Sequence, residues 1–206
     1  MKYIFLHGLG QGYQMWNPVL SYLGKNYDVE SLDLYEWFSG KQISWLGLYS
    51  AFEAYCNNVE GPMVLCGLSL GGMLALQYTL HHPEKVVSLV LIGVQVTMPK
   101  LLLKIQNIIF SCMPNSAFKS LGVSKKQIIT LTKSMMNLDF CDELEKIRCR
   151  TLAIVGTKDK ANKKAFLCIR EKIQNCAGCI IPGAGHEVNR DSPEVLAETL
   201  KMFFES

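Results

Sequence analysis

The chain has 206 residues, of which 49% are hydrophobic and 19% are charged; this composition fits one soluble α/β domain and excludes a disordered chain. Its formal net charge of +3 is too small and too mixed to indicate a nucleic-acid-binding protein. The N-terminus, MKYIFLH, turns polar and glycine-rich too early for a signal peptide, and no apolar run approaches the length of a membrane span.

Short apolar runs alternate with segments of helical spacing along most of the chain. Strands are predicted over residues 3–6, 27–34, 86–94, 151–155 and 179–181, with a further strand beginning at Met63. Helices are predicted from Asn17 up to Gly24, over 44–57, 70–81 and 194–204, and through Phe166, Ile169 and Ile173. This alternation implies a parallel sheet with helices on both faces.

One stretch, between the strand ending at Val94 and the strand beginning at Thr151, breaks the alternation. Its apolar residues recur at helical spacing over 101–110, 117–121 and 127–136. An excursion this long inside an α/β unit is more typical of a cap over a site than of a single crossover helix. We therefore predict a helical cap over 95–148 and a core made of 1–94 and 149–206.

A glycine-flanked serine, Gly67-Leu68-Ser69-Leu70-Gly71, joins the strand at Met63 to the next helix. The G-x-S-x-G pattern in a strand–turn–helix context is typical of a nucleophile elbow. The turn is so tight that only glycine fits on either side of the serine. Without this context, the same pattern is equally a chance glycine-rich turn.

Catalytic groups in an open parallel sheet gather at the carboxyl ends of the strands. The polar residues at those ends are His7, Asp33, Ser69, Asp159 and His186. Taken singly, Asp159 is as well explained as a helix cap, and His186 as a loop histidine bonded to the backbone. Together, the order serine, aspartate, histidine, each just after a strand, predicts a catalytic triad of Ser69, Asp159 and His186.

Four motifs resemble those of the α/β-hydrolase superfamily, and the resemblance spans nearly the whole chain. They are His7-Gly8-Leu9-Gly10, Gly67-Leu68-Ser69-Leu70-Gly71-Gly72, Val155-Gly156-Thr157-Lys158-Asp159 and Gly183-Ala184-Gly185-His186. The resemblance implies an α/β-hydrolase fold with a predominantly parallel six-stranded sheet, ordered 2-1-3-4-5-6, and a helical cap inserted before the strand at Thr151. The chain begins at what would be the family's third strand, so the usual N-terminal hairpin is expected to be missing.

The same resemblance assigns roles to the site residues. Ser69 is the nucleophile, His186 is the base that takes its proton, and Asp159 orients and stabilises the imidazole. The backbone N–H groups of Leu9 and Leu70 form the oxyanion hole. No cofactor and no metal is implied.

The other histidines and Asp33 are interpreted as structural. His7 is expected to fix the loop around Leu9 by hydrogen bonding, and Asp33 to organise the loop that follows it. His81 and His82 stand at a helix end, where their charge suits the helix dipole. The four histidines are too scattered for a metal-dependent hydrolase.

The cysteines are interpreted as reduced thiols. Cys176 and Cys179 have C-x-x-C spacing, but no second pair accompanies them, which disfavours a metal or redox role. Eight cysteines without a secretion signal favour a cytoplasmic protein.

Three functions follow from these observations. The first is a serine hydrolase that cleaves a small-molecule carboxylic ester or thioester through an acyl-enzyme. The second is a C–C hydrolase or a lyase resembling those of the menaquinone pathway, which are expected to bind an anionic substrate through arginines near the cap. Here the arginines are Arg148, Arg150, Arg170 and Arg190, and none lies in the cap core. The third is a non-catalytic binding protein, which would not need a complete triad.

The predicted cap is also positively charged. Between Gln95 and Leu138 there are six lysines and no acidic residue, so the rest of the chain carries +3 − 6 = −3. They are Lys100, Lys104, Lys119, Lys125, Lys126 and Lys133. A solvated helix face explains them. An anionic acyl carrier as partner explains them too, and the chain resembles carrier-protein methyl-ester esterases at Ser69-Leu70-Gly71-Gly72.

Overall fold

A computed structural model of the chain describes residues 1–38, 43–98, 100, 103, 108, 110–114, 118 and 123–206. Its centre is a six-stranded sheet in which every neighbouring pair of strands is parallel. The strands are β1 (Lys2–Leu6), β2 (Asp28–Leu32), β3 (Met63–Leu68), β4 (Val86–Ile92), β5 (Arg150–Gly156) and β6 (Cys176–Ile181). Their order, β2-β1-β3-β4-β5-β6, confirms the predicted topology.

Three strand ends differ from the prediction by two or more residues. β2 stops at Leu32, before residue 34, because Asp33 opens a turn in which its carbonyl accepts a hydrogen bond from the Glu36 N–H at 3.2 Å. β4 stops at Ile92 because Gly93 turns the chain with φ of 57°. β6 begins at Cys176, earlier than residue 179, in register with β5.

Seven α-helices have bounds within the described residues. They are α1 (Asn17–Leu23), α2 (Trp45–Asn57), α3 (Leu70–His81), α4 (Lys125–Ser134), α5 (Lys163–Lys172), α6 (Val188–Asp191) and α7 (Pro193–Glu205). Sequence signals explain several of their starts: Pro18 and Pro193 occupy first-turn positions, and the Ser44 side chain accepts a hydrogen bond from the Gly47 N–H. The short helix α6 was not predicted.

The helices cover both faces of the sheet. On one face, α1 and α7 pack against strand residues that include Phe5, Cys66 and Val90. On the other face, α2, α3 and α5 pack against alternate strand residues, among them Ile4 and Leu65. Because both faces are covered, β3 and the part of β1 after Lys2 carry no charged residue and do not alternate between apolar and polar residues.

The segment between β4 and β5 leaves and rejoins the sheet at two stretches of backbone that lie side by side, residues 96–98 and 138–140. The Phe140 N–H donates to the Val96 carbonyl at 2.7 Å, the Met98 N–H donates to the Leu138 carbonyl at 3.0 Å, and Thr97 and Asp139 form an antiparallel bridge. The two ends of the insertion are thus held together beside the core. Its assignment as a cap over 95–148 stays a prediction.

Only part of the inserted segment lies within the described residues. The helices predicted over 101–110 and 117–121 fall mostly outside them, although Leu103, Phe110 and Phe118 are helical. The third predicted helix, over 127–136, corresponds to α4, which starts earlier because Ser124 and Gln127 form a capping box. α4 is anchored to α2 through the Trp45 N–H, which donates to Ser134 Oγ at 2.7 Å.

Candidate active site

Ser69 stands at the turn from β3 into α3, with backbone angles that few side-chain-bearing residues adopt. Its φ is 52° and its ψ is −111°, and no other non-glycine residue in the described part of the chain has a positive φ. Such angles cost about 1–3 kcal/mol and persist where the surroundings enforce them, often at functional sites. The Ser69 N–H is held by the Ile92 carbonyl at 2.9 Å, and the side chain is partly exposed at the carboxyl end of the sheet.

The glycines beside the serine are required by close backbone approach. A Cβ atom at Gly67 would lie 2.4 Å from the Gly71 carbonyl carbon and from the Gly72 amide nitrogen. A Cβ atom at Gly71 would lie 2.5 Å from the Leu6 carbonyl oxygen. These neighbours are backbone atoms of a helix and a buried strand, so they cannot move aside. The crossing of α3 over β1 and β3 thus depends on both glycines.

Gly67→Ala is therefore expected to lower the free energy of unfolding by about 3 kcal/mol, because the added methyl group overlaps backbone atoms. Gly47→Ala is a matched control, since Gly47 lies exposed in α2 with only Ser44 Oγ, at 3.4 Å, near an added Cβ. That control is expected to raise stability by up to about 1 kcal/mol through helix propensity. Urea unfolding of both variants checks this, and equal stability of the two would contradict the packing argument.

Asp159 and His186, which follow β5 and β6, form a hydrogen-bonded pair. His186 Nδ1 lies 2.9 Å from Asp159 Oδ2; the Asp159 side chain is 4% exposed and the His186 side chain 42% exposed. Burial alone would raise the pKa of Asp159, but hydrogen bonds from His186 and Asn162 outweigh it and leave the pKa below its usual value. Asp159 is thus an ionised acceptor, which favours the His186 tautomer with its proton on Nδ1 and leaves Nε2 free to accept a proton.

Gly93 brings the elbow and this pair to the same edge of the sheet. The residue before it, Ile92, holds the Ser69 amide, while a Cβ atom at Gly93 would lie 3.0 Å from His186 Nδ1 and 3.4 Å from Asp159 Oδ2. Only a residue without a side chain lets the imidazole pack this closely on β4. The structure therefore gathers Ser69, Asp159 and His186 around the end of one strand, and the direct bond from Ser69 to His186 stays a prediction.

Two backbone N–H groups are candidates for the oxyanion hole. Leu70 is the first residue of α3, so its N–H is among the helix N–H groups that have no acceptor within the helix. The loop that carries Leu9 is fixed on both sides: the Gly8 N–H donates to Gln11 Oε1 at 3.3 Å, and the Gly10 N–H donates to the Tyr35 hydroxyl at 2.7 Å. The part played by Leu9 and Leu70 in catalysis stays a prediction.

His7 supports this loop, as its sequence position predicted. It is completely buried; its Nε2 accepts a hydrogen bond from the Leu34 N–H at 3.0 Å, so the proton on Nδ1 is donated to the Gly8 carbonyl at 2.9 Å. Burial lowers the pKa of His7 below its usual value, so the ring is neutral at physiological pH. Both ring nitrogens are used in this scaffold, so neither is available as a base.

A buried pair of amides, which the sequence analysis missed, ties the Leu9 loop to the His186 loop. Gln11 Nε2 donates to Asn189 Oδ1 at 3.3 Å, and Asn189 Nδ2 donates back to Gln11 Oε1 at 3.2 Å. Both residues are at most 3% exposed. Because Asn189 lies on α6, which begins two residues after His186, this pair joins the candidate oxyanion loop to the loop that carries the base.

The remaining polar candidates have structural roles. Asp33 accepts a hydrogen bond from the Tyr35 N–H at 3.0 Å, and so organises its loop as predicted. His81 and His82 bind Tyr49 at 2.7 Å and Glu53 at 2.8 Å, at the far end of α3 from Ser69. Both contacts tie α3 to α2.

The C-x-x-C pair does not form a thiol site. Cys176 packs into the core on one face of the sheet and Cys179 into the core on the other face, because residues three apart on a strand point in opposite directions. All eight cysteines are free thiols. The two thiols are therefore close in sequence but separated by the sheet.

The fold and the site define an α/β-hydrolase, and comparison with known proteins agrees. The model of the alpha/beta hydrolase family matches residues 3–122, more than half of the chain. The chain belongs to the alpha/beta hydrolase family. The solved esterase from Exiguobacterium antarcticum superimposes with a TM-score of 0.85 at 21% identity, over 100% of this chain and 92% of that one, a likeness of fold.

Among curated proteins, the chain is similar to pimeloyl-[acyl-carrier protein] methyl ester esterases. It is 36% identical to that of Aromatoleum aromaticum over 90 residues, which are 44% of this chain and 36% of the relative. It is 27% identical to that of Nitrosomonas europaea over 166 residues, which are 80% of this chain and 58% of the relative. The chain thus spans less than two thirds of the length of these relatives. Within the described residues, no helix has the length and hydrophobicity to span a membrane.

Proposed function

We propose that this protein is a serine hydrolase that cleaves a carboxylic ester or thioester through an acyl-enzyme intermediate. The observation that carries the proposal is the strained Ser69, which lies at the same edge of the sheet as a buried carboxylate joined at 2.9 Å to a partly exposed imidazole. A residue held in an unfavourable conformation beside an oriented base is typical of an activated nucleophile. The named relatives, which are methyl ester esterases, support the same reaction class.

The proposed reaction has two halves. Ser69 Oγ attacks the carbonyl carbon while His186 Nε2 accepts its proton, and Asp159 stabilises the resulting imidazolium. The N–H groups of Leu9 and Leu70 stabilise the oxyanion, each contributing roughly 3 kcal/mol in comparable sites. The tetrahedral intermediate collapses, and His186 protonates the departing alcohol or thiol. Water, deprotonated by His186, then attacks the acyl-enzyme, which releases the acid and regenerates Ser69.

A panel of p-nitrophenyl esters and acyl thioesters of increasing acyl length tests the reaction class. We expect cleavage of at least one series, with a burst of p-nitrophenol equal to the enzyme concentration if deacylation is slow. Cleavage of neither esters nor thioesters above the rate of Ser69→Ala would overturn the proposal. That result would favour the C–C-cleaving or lyase alternative, or a binding protein.

We further propose that the 95–148 segment is a cap whose apolar inner face accepts the acyl chain while its lysines attract an anionic acyl carrier. In α4, Ile128 and Leu131 are buried toward the core, whereas Lys126 and Lys133 are exposed and lie seven residues apart, on one face of the helix. This division into an apolar face and a cationic face supports both roles. Lys104 and Lys119 lie outside the described residues.

The double variant Lys126→Glu/Lys133→Glu is expected to lower kcat/KM for an acyl-carrier-protein or acyl-coenzyme A substrate by tenfold or more, because it reverses the charge facing the carrier. A neutral short-chain ester should be cleaved at the wild-type rate. Added salt should have the same selective effect in the wild type, since the Debye length falls to about 8 Å at physiological ionic strength.

The matched control places the same charge change on the opposite face of the sheet, at Lys25 and Lys201. It should leave both substrates unaffected. An equal loss of kcat/KM for charged and neutral substrates, or an equal loss in the control variant, would show that the lysines are only a solvated helix face without a role in binding a carrier.

A further inference from the structure

We propose that Asn162 is a positioning residue that fixes the Asp159 carboxylate against His186, and that Gln95 holds Asn162 in the orientation this requires. For its kinetic test the inference rests on the proposed function; its structural test does not. Asn162 is the residue before α5, is 6% exposed, and makes no side-chain capping bond to that helix. Its side chain is therefore available for the acid–base pair.

Asn162 contacts both oxygens of the carboxylate. Its Nδ2 lies 2.8 Å from Asp159 Oδ1 and 2.7 Å from Asp159 Oδ2, and its backbone N–H lies 3.3 Å from Oδ1. The same amide nitrogen is 3.0 Å from His186 Nδ1. Since the Nδ1 proton is donated to Oδ2, the amide hydrogens go to the carboxylate. Two donors, Asn162 and His186, thus converge on the Asp159 carboxylate and fix its orientation.

Gln95 determines which way the Asn162 amide faces. Gln95 Nε2 lies 3.0 Å from the Ala161 carbonyl oxygen, which can only accept, so the Gln95 atom is the amide nitrogen. The same nitrogen lies 2.7 Å from Asn162 Oδ1 and donates to it. With its oxygen held by Gln95, Asn162 must present its NH2 group to Asp159. If the Asn162 amide were flipped, its oxygen would face the Asp159 carboxylate and its nitrogen would face Gln95 Nε2, and neither contact could be a hydrogen bond.

This chain of hydrogen bonds joins three loops of the site. Gln95 follows β4, where the inserted segment leaves the sheet; Asn162 and Asp159 follow β5; and His186 follows β6. The orientation of the acid–base pair therefore depends partly on Gln95, where the inserted segment begins. Nothing in the G-x-S-x-G or G-x-G-H motifs signals this arrangement.

Asn162→Ala is expected to lower kcat about ten- to a hundredfold with little change in KM, because it removes hydrogen bonds to a charged group that acts through His186 and does not bind substrate. Asn162→Asp keeps the shape but replaces the donor by a second carboxylate, so it should be at least as impaired as Asn162→Ala. An isosteric variant this impaired indicates a donor role, since a packing role would tolerate it.

Gln95→Ala is expected to lower kcat by about three- to tenfold, and by almost nothing when Asn162 is already alanine, because Gln95 acts through Asn162. Thr97→Val is the matched control: it removes a 2.8 Å hydrogen bond to Asp139, two residues along the same segment, without touching the pair. Its kcat should stay within about twofold of the wild type.

NMR of the intact protein tests the inference without any substrate. In 15N-histidine-labelled protein, His186→Ala assigns the His186 resonances, and the downfield Nδ1–H proton reports the bond to Asp159. In Asn162→Ala this proton should move upfield and exchange faster with water, while the Thr97→Val spectrum stays that of the wild type. If no ester is cleaved but this change occurs, the positioning role stands and the proposed function fails. An unchanged proton in Asn162→Ala, or Asn162→Asp with wild-type kcat, overturns the inference.

Discussion

Ser69→Ala is expected to abolish hydrolysis of every ester and thioester while leaving the fold intact. The hydroxyl is partly exposed and makes no capping bond to α3, and alanine has the same Cβ as serine, so the strained backbone is no worse off. Without Oγ no acyl-enzyme forms, and the loss of kcat should be about 10⁶-fold, down to the background of the remaining site. The free energy of unfolding should change by less than about 0.5 kcal/mol.

The measurement is kcat on the best p-nitrophenyl ester, together with urea unfolding. Ser21→Ala, a substitution of the same kind at an exposed position of α1, should keep full activity. More than a few per cent of wild-type activity in Ser69→Ala would remove Ser69 from the role of nucleophile.

His186→Ala and Asp159→Asn are each expected to lower kcat by about 10⁴-fold. The first removes the group that takes the Ser69 proton. The second replaces an ionised acceptor by an amide, which no longer favours the tautomer with the proton on Nδ1. His81→Ala is the matched histidine control, since His81 bonds Tyr49 at the opposite end of α3. Losses below about tenfold for both site variants would contradict the triad.

Asp159 is not expected to limit the activity at weakly acidic pH. Because hydrogen bonds hold that pKa below its usual value, the carboxylate stays ionised through the weakly acidic range. kcat/KM is expected to fall in acid, because a base that already carries a proton cannot take the proton of Ser69 Oγ. A pH profile measured on a substrate limited by chemistry checks this, and a profile that stays flat into acid would contradict general-base catalysis by His186.

The elbow was predictable because it has a local signature: a buried strand, two glycines around a serine and an apolar helix start occur together between Met63 and Leu76. The strand order was predictable because the motifs of the chain resemble those of the α/β-hydrolase superfamily. The strand ends were less predictable, because they depend on single turn bonds such as the one from Glu36 to Asp33.

The supporting residues of the site could not be predicted from sequence. Gln11 and Asn189 are hydrogen-bonded although they are 178 residues apart in sequence, and no sequence motif predicts the pairing of two such amides. Asn162 is only three residues from Asp159, but its orientation depends on Gln95, which comes from another loop. The C-x-x-C pair is the opposite case. Cys176 and Cys179 are close in sequence, but their side chains lie on opposite faces of the sheet because side chains alternate along a strand.

Labelling with a fluorophosphonate, followed by peptide mass spectrometry, tests the central claim most directly, because the reagent modifies a serine only where a base activates it and an oxyanion site accepts its oxygen. We predict one adduct per chain, on the peptide that contains Ser69, with no labelling of folded Ser69→Ala and strongly slowed labelling of His186→Ala. Folded wild-type protein that stays unlabelled, or that carries the adduct on another residue, would contradict the assignment of Ser69 as an activated nucleophile.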